Sequence, residues 1–300
     1  MNKKSIKIIF LYFLVCLFFT ANCSQNSHFK IDKSYVSDLK KSRLDLNLSR
    51  TNYLKLCGLY KINRPLISMG FNIDNEIIMS NKNINQKIGC FTSHKKTIIF
   101  IAEPHLDIRD KTAQKIQTRK LVLDENGDSE RLFYKNYSWR IISRSGELYV
   151  RIWNENNPAI KAFKGFKNYP TSSEFIFEAD FKYFNASKSK LVGSKLGVDE
   201  KAEFIGIMRF EYSGENFELL VGGKGWTMVG DATNAYTTYG VGRYLYVDLP
   251  QKNGKITLDF NYLYNPPCRY SQYTTCLFPP AKNILPFAIE AGELLEFKND

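Results

Sequence analysis

The 300-residue chain is 44% hydrophobic and 14% aromatic, enough apolar material for one large core or two modest ones. Its formal charge is +12, but the excess is local: residues 23–150 carry 22 basic against 13 acidic side chains. No basic run interleaves with aromatics as single-strand binding requires, which excludes nucleic acid as a partner. The charge reads as solvated surface or as attraction to an anionic envelope surface.

Lys3, Lys4 and Lys7 precede the apolar run IIFLYFLVCLFF, which is short for a membrane span, and TANC follows it. Residues 1–22 therefore read as an export signal, and Cys23 as a bacterial lipoprotein acceptor cysteine, although Thr20 and Asn22 depart from the usual box. The expected address is exported and lipid-anchored in the cell envelope, so that the membrane is a partner through the anchor. Residues 23–52 read as a polar tether with one short helix, Tyr35 to Arg43.

Beyond the tether, the apolar pattern has period two. LKLCGLYKI and EIIMS read as strands around the loop INRPLISMGFNIDN, and KKTIIFIAEP as a strand ended by Pro104. SWRIIS and ELYVRIW form a hairpin about Ser145-Gly146, and AEFIGIMRFEYS and NFELLVGG another across Gly214. EFIFEADFKYF places Phe175, Phe177, Ala179, Phe181 and Tyr183 on one face. YLYVDL and KITLDFN read as a hairpin closed by Asn253-Gly254, the favoured type I′ pair. Two Pro-Pro pairs stiffen the loop from Tyr264 to Pro280.

The expected class is all-β, mainly antiparallel, in two packed sandwich-like or barrel-like halves, 53–155 and 156–300, with a short N-terminal helix. Without Cys16 and Cys23, four cysteines remain, an even number for an oxidising compartment. The favoured pairing is Cys268 with Cys276 and Cys57 with Cys90; a zinc site or a thiol nucleophile is the alternative. Cys268 and Cys276 lack the two-to-four-residue knuckle spacing, and the histidines, His28, His94 and His105, lie far from them in sequence, which argues against a metal. No cofactor motif is present.

The string TYGVGRYL, then LDFNYLYNPPC, a second cysteine, PP, an Asn and LPFAIEAGE, resembles the bacterial family of domain of unknown function 1684. LCGLYKI, FNIDNEII, WRIISRSGELYVRIWN and AFKGFKNYP resemble its earlier landmarks, so the likeness runs from about Leu54 to Glu293. The family's recurrent residues map onto Asp231, Thr233, Thr238, Tyr239, Gly242, Arg243, Asp259, Asn261, Tyr264, Asn265, Pro266, Cys268, Cys276, Pro279, Asn283, Glu290 and Gly292. The resemblance implies no established activity. Thr237 and Lys282 stand where the family usually has Glu. FNIDNEII also resembles the ligand-proximal stretch of a forkhead-associated sandwich, but the Gly-Arg and Ser-x-x-His features that grip phosphothreonine are absent.

Arg243, flanked by glycines, reads either as a fork for an anionic ligand group or as an internal salt bridge to Asp231 or Asp259. Asp259 and Asn261 share a strand face, and with Tyr264 and Asn265 they form a ligand cup or a frame for the proline loop. Trp226, Tyr236 and Tyr239 are candidates for stacking on a sugar ring, with core packing the alternative for each. Three functions follow: binding of a small or polymeric envelope ligand (sugar, peptide or anionic group), a hydrolase or transferase using Asp231 or Asp259 beside Arg243, or a scaffold without a pocket. Burial of Asp231, Arg243, Asp259 and Asn261 in paired contacts favours the third.

Overall fold

The computed structural model describes residues 29–79, 84–94 and 97–298, and those from Ile31 onward belong to one compact unit. The export signal, Cys16, Cys23 and His28 lie outside the described residues. The fold is mainly strand. Every pairing between the strands is antiparallel except that of Leu66–Gly70 with Ile77–Ile78.

One sheet has the order β3-β2-β4-β5-β6, from β2 (Leu66–Gly70), β3 (Ile77–Ile78), β4 (Gly89–His94), β5 (Thr97–Ala102) and β6 (Thr118–Leu121). A second has the order β1-β9-β8-β7, from β1 (Leu56–Lys61), β7 (Leu132–Tyr134), β8 (Tyr137–Arg144) and β9 (Glu147–Asn154). Alternation along each strand sends one set of side chains inward. Phe91 and Phe100 of the first sheet meet Trp139, Ile141 and Val150 of the second in a shared core, with the Phe100 and Trp139 rings 5.3 Å apart. The β8–β9 hairpin forms as its sequence predicts, since Ser145 (φ 49°) and Gly146 (φ 80°) both take the left-handed conformation of a type I′ turn.

The other large sheet has the order β13-β12-β11-β16: β11 (Ile176–Val192), β12 (Glu200–Tyr212), β13 (Glu215–Gly222) and β16 (Gly254–Asp259). Phe175, Ala179 and Phe181 are buried and Glu178, Asp180 and Lys182 exposed, so the phenylalanine face of β11 is the core face. Two strand pairs flank this sheet, β14 (Trp226–Val229) with β15 (Arg243–Tyr246), and β10 (Phe166–Asn168) with β17 (Glu293–Phe297).

Three helices complete the fold: α1 (Lys33–Ser49), α2 (Thr51–Leu54) and α3 (Pro158–Ala162). Helix α1 is longer than the predicted Tyr35 to Arg43. Asp32 caps it by accepting from the Tyr35 N–H at 2.9 Å, and no Gly or Pro interrupts it before Ser49. It is not free chain. Leu39 is buried, and Tyr35, Arg43 and the C-cap Arg50 reach residues more than two hundred positions away.

Three expectations need correction. The stretch INRPLISMG is not all loop, because Leu66–Gly70 pairs with β4. The hairpin about Asn253-Gly254 does not form: β15 pairs with β14 and β16 pairs with β11. Asn253 instead accepts from the Tyr183 N–H at 2.9 Å, so its side chain holds β16 to β11. Finally, Cys57, Cys90, Cys268 and Cys276 are all free thiols. Cys57 packs against the sandwich core and donates to the Ile152 carbonyl, whereas Cys90, beside inward-facing Phe91, points to the opposite face of its sheet. Cys268 and Cys276 are neighbours without a bond, the Cys276 sulfur accepting from the Cys268 N–H at 3.1 Å.

Candidate functional site

The residues the sequence marks most strongly form a frame. Arg243 is 0% exposed. Nη2 bonds Asp231 Oδ2 at 2.9 Å and the Ile289 carbonyl at 2.9 Å, while Nη1 bonds the Ala291 and Glu293 carbonyls. Its planar fork therefore ties β15 to the segment leading into β17, and no terminal nitrogen is left for a ligand. Asp231 Oδ1 accepts from the Thr233 N–H and hydroxyl and from the Ile289 N–H. Thr233 in turn bonds Thr238 at 2.7 Å.

Asp259 ends β16 and Asn261 falls in the 3-10 turn Phe260–Tyr262 that follows, so the single strand face expected from their spacing does not form; Asp259 instead caps that turn, and both residues are buried. Asp259 Oδ1 accepts from the Asn261 N–H and amide at 2.9 Å, and Oδ2 accepts from the Tyr35 hydroxyl of α1 at 2.7 Å. Burial raises the Asp259 carboxyl above its usual range, with these hydrogen bonds opposing the shift. The Asn261 amide clamps the Ser172 backbone, its Oδ1 accepting from Ser172 N–H and its Nδ2 donating to Ser172 O. Asn265 donates its backbone N–H to Glu293 Oε2 at 2.7 Å and its amide to the Leu294 carbonyl at 2.8 Å. Tyr239 donates to the Cys268 carbonyl at 3.2 Å, far from a stacking role.

A second buried pair completes the frame, and the sequence reading missed it. Arg50 bonds both carboxylate oxygens of Glu293, at 2.8 and 2.6 Å, and also Asn47 at 2.7 Å. Its guanidinium lies over the rings of Phe166 at 5.0 Å, Tyr270 at 5.3 Å and Phe163 at 5.7 Å. Glu293 can reach this position because Gly292 (φ 75°) brings the backbone against Leu263, where a Cβ would lie 2.5 Å from the carbonyl oxygen.

Open space lies beside the frame. A cavity of ≈ 610 Å³ is walled by Tyr53, Trp226, Tyr244, Tyr246, Tyr264 and Tyr270, by Thr274, Thr275 and Cys276 of the proline loop, and by Arg144 and Arg151. Of the predicted ligand residues, Tyr264 and the stacking candidate Trp226 line it. The Tyr246 and Tyr264 rings are stacked at 6.3 Å and 9°, and Tyr246 is 59% exposed. Trp226 and Tyr264 each meet Tyr244 edge-on. Burial, the leading cause, holds the Tyr244 and Tyr264 hydroxyls protonated well above the usual phenol range, so both act as neutral donors.

Arg151 supplies the cavity's charge. Along β9, Val150 and Ile152 enter the sandwich core, so Tyr149, Arg151 and Trp153 take the opposite face. Arg151 is 8% exposed, donates to Thr275 Oγ1 at 3.1 Å, and leaves Nε without a hydrogen-bond partner. Among the described residues it makes no ion pair. The neighbouring Asp128 is engaged by Arg140 and Arg144. Desolvation, reinforced by the Arg144 charge, pushes the Arg151 guanidinium down to about 10, still protonated at neutral pH.

A second cavity, ≈ 530 Å³, opens on the other side of Tyr270, with Tyr60, Tyr137, Asn154 and Asn157 among its walls. Its asparagines are committed, Asn157 to the Leu56 carbonyl and to α3, and Asn154 to Asn136 and Tyr137. Among the described residues, no charged side chain lines it. Among the described residues, no group of three or more His, Cys, Asp or Glu side chains is placed to hold a metal ion.

Residues 161–294 match the family described as "Protein of unknown function (DUF1684)". The DUF1684 match starts within α3, a shorter span than the motifs from Leu54 suggest. A solution NMR structure of an uncharacterized protein from Haloarcula marismortui is similar at 24% identity with a TM-score of 0.38, over 45% of this chain and 78% of that one. No curated protein matches the chain. The DUF1684 segment contains the Asp231–Arg243 pair, Asp259, Asn261, Asn265 and Glu293, but Tyr35, Arg50, Arg144 and Arg151 precede it. Its two departures sit away from the cavity: Thr237 meets the Tyr169 hydroxyl at 2.5 Å, and Lys282 pairs with Glu218 at 2.6 Å.

Proposed function

We propose that the protein is an exported, lipid-anchored binding protein that holds a ring-bearing polar ligand in the tyrosine-walled cavity, with the DUF1684 signature acting as the frame behind it. The observation that carries this reading is the wall itself: an exposed Tyr246 ring stacked on the half-buried Tyr264 ring beside Trp226, Thr274 and Thr275, in a concavity large enough for a small ligand. Aromatic faces bind sugar and aryl rings by stacking, while hydroxyls at the rim supply orientation. Asp231, Arg243, Asp259 and Asn261 are all buried in paired contacts, which supports the scaffold alternative for that cluster and leaves the binding reading resting on the separate tyrosine-walled cavity. The hydrolase alternative is less well supported, because both oxygens of Asp231 and of Asp259 are engaged within the protein.

In a thermal-shift titration, phenyl β-glucoside is expected to stabilise the wild type, and Tyr246→Ala to weaken its binding by roughly tenfold, since stacked aromatic contacts are worth about 0.5–1.5 kcal/mol beyond area. Tyr246 is exposed, so the variant keeps the fold. An unshifted wild type, or a variant that titrates like it, removes the reading. The anchor is supported by Lys3, Lys4, Lys7, the apolar run and Cys23. Labelled palmitate fed to a bacterial expression host is expected to enter the wild type and not Cys23→Ser; equal labelling of both rules out Cys23 as the acceptor.

A further inference from the structure

We propose that the ligand of this cavity carries an anionic group, a phosphate, sulfate or carboxylate, seated against Arg151 with Arg144 beside it. The inference rests on the binding reading above and narrows its ligand class. A buried guanidinium without a carboxylate is costly, and folded chains retain one where something else supplies the negative charge. Arg151 is in that position: it is more than nine-tenths buried, and among the described residues the acceptor of its guanidinium is a neutral hydroxyl, whereas buried Arg50 and Arg243, whose Nε atoms are likewise unpartnered, each face a carboxylate. Arg140 lies opposite it in the β8–β9 register, and Asp128 serves Arg140 and Arg144, so three guanidiniums share one paired carboxylate.

Glu200 is the nearest alternative source of negative charge. It interacts with Arg144 and Arg151 only at longer range, makes no ion pair with either among the described residues, and does not line the cavity. The ring wall and the cation are therefore set to read two parts of one molecule, a planar or saccharide ring on Tyr246–Tyr264 and a negative substituent at Arg151. A guanidinium fork suits the oxyanion geometry of phosphate, sulfate and carboxylate alike.

The test compares phenyl phosphate, phenyl β-glucoside and inorganic phosphate by calorimetric titration against wild type, Arg151→Gln and Arg151→Met. Phenyl phosphate is expected to bind wild type roughly 10- to 100-fold more tightly than the glucoside, as charge-assisted hydrogen bonds imply. Arg151→Gln is expected to lose that preference, weakening phenyl phosphate by at least about tenfold more than it weakens the glucoside. Without ligand, Arg151→Met is expected to melt at or above the wild-type temperature, because an uncompensated buried charge is removed; a merely structural arginine would give a drop. Equal binding of both aryl probes to wild type, or equal weakening of both by Arg151→Gln, overturns the anionic group and leaves the cavity standing. Failure of every probe to bind wild type overturns the cavity reading and this inference with it. Inorganic phosphate bound equally by wild type and Arg151→Gln also counts against Arg151.

Discussion

Glu293→Gln is expected to lower the thermal midpoint by on the order of 10 °C. The carboxylate is buried and satisfies three donors, two from Arg50 and one from the Asn265 N–H. Glutamine keeps the shape and one acceptor but removes the charge, so Arg50 stays buried among Phe163, Phe166 and Tyr270 with no counter-ion. Breaking a buried pair from one side costs about 3–5 kcal/mol, and for a chain of this size each kcal/mol shifts the midpoint by about 2–4 °C. The double variant Arg50→Met, Glu293→Leu is expected to recover much of the loss, since apolar side chains of similar volume suit the same ring-lined site. Circular-dichroism melts of the two singles and the double give the coupling directly. A Glu293→Gln midpoint within a degree of wild type would mean that the pair does not hold α1 to the C-terminal strands.

Asp231→Asn is expected to cost a similar amount, about 3–5 kcal/mol, for a related reason. Arg243 is wholly enclosed, and among the described residues Asp231 is the one carboxylate bonded to it; the Ile289, Ala291 and Glu293 carbonyls satisfy hydrogens but do not neutralise charge. The variant separates two readings of this pair. If it is a frame, denaturant midpoints fall and the protein that remains folded still binds at the cavity. If Asp231 is a catalytic base, stability holds while turnover disappears. Arg243→Lys is expected to destabilise as well, because an ammonium cannot span Asp231 and three carbonyls from one planar group.

Much of the fold was legible because strand periodicity and type I′ turn chemistry are local. Ser145-Gly146 and Ser213-Gly214 join neighbours in sequence that are also neighbours in the sheet. Asn253-Gly254 carried the same signal and misled. Whether β16 pairs with β15 or with β11 depends on contacts roughly eighty residues apart, which no local pattern encodes. Arg243 was ambiguous in sequence because a glycine-flanked arginine suits a ligand and an internal carboxylate equally well; only burial separates them. Arg50 was invisible as one basic residue in a polar stretch. Arg151 did leave a trace in YVRIW: it shares its face with Tyr149 and Trp153, and an arginine between two aromatics on the outer face of a sandwich marks that face as covered.

The Arg50–Glu293 bond joins positions 243 residues apart, and it has consequences for the order in which the protein can assemble. A nascent chain can close the first sandwich from its own hairpins, but α1 meets its distant partners Asp259 and Asn261 only late, and its C-cap Arg50 finds Glu293 only once β17 has been made. Loop closure over such a span is entropically slow. Synthesis that stops short of residue 293 would leave the leading helix undocked, with the rings of Phe163, Phe166 and Tyr270 uncovered and prone to association. The polypeptide thus has to be essentially complete before its beginning finds its place.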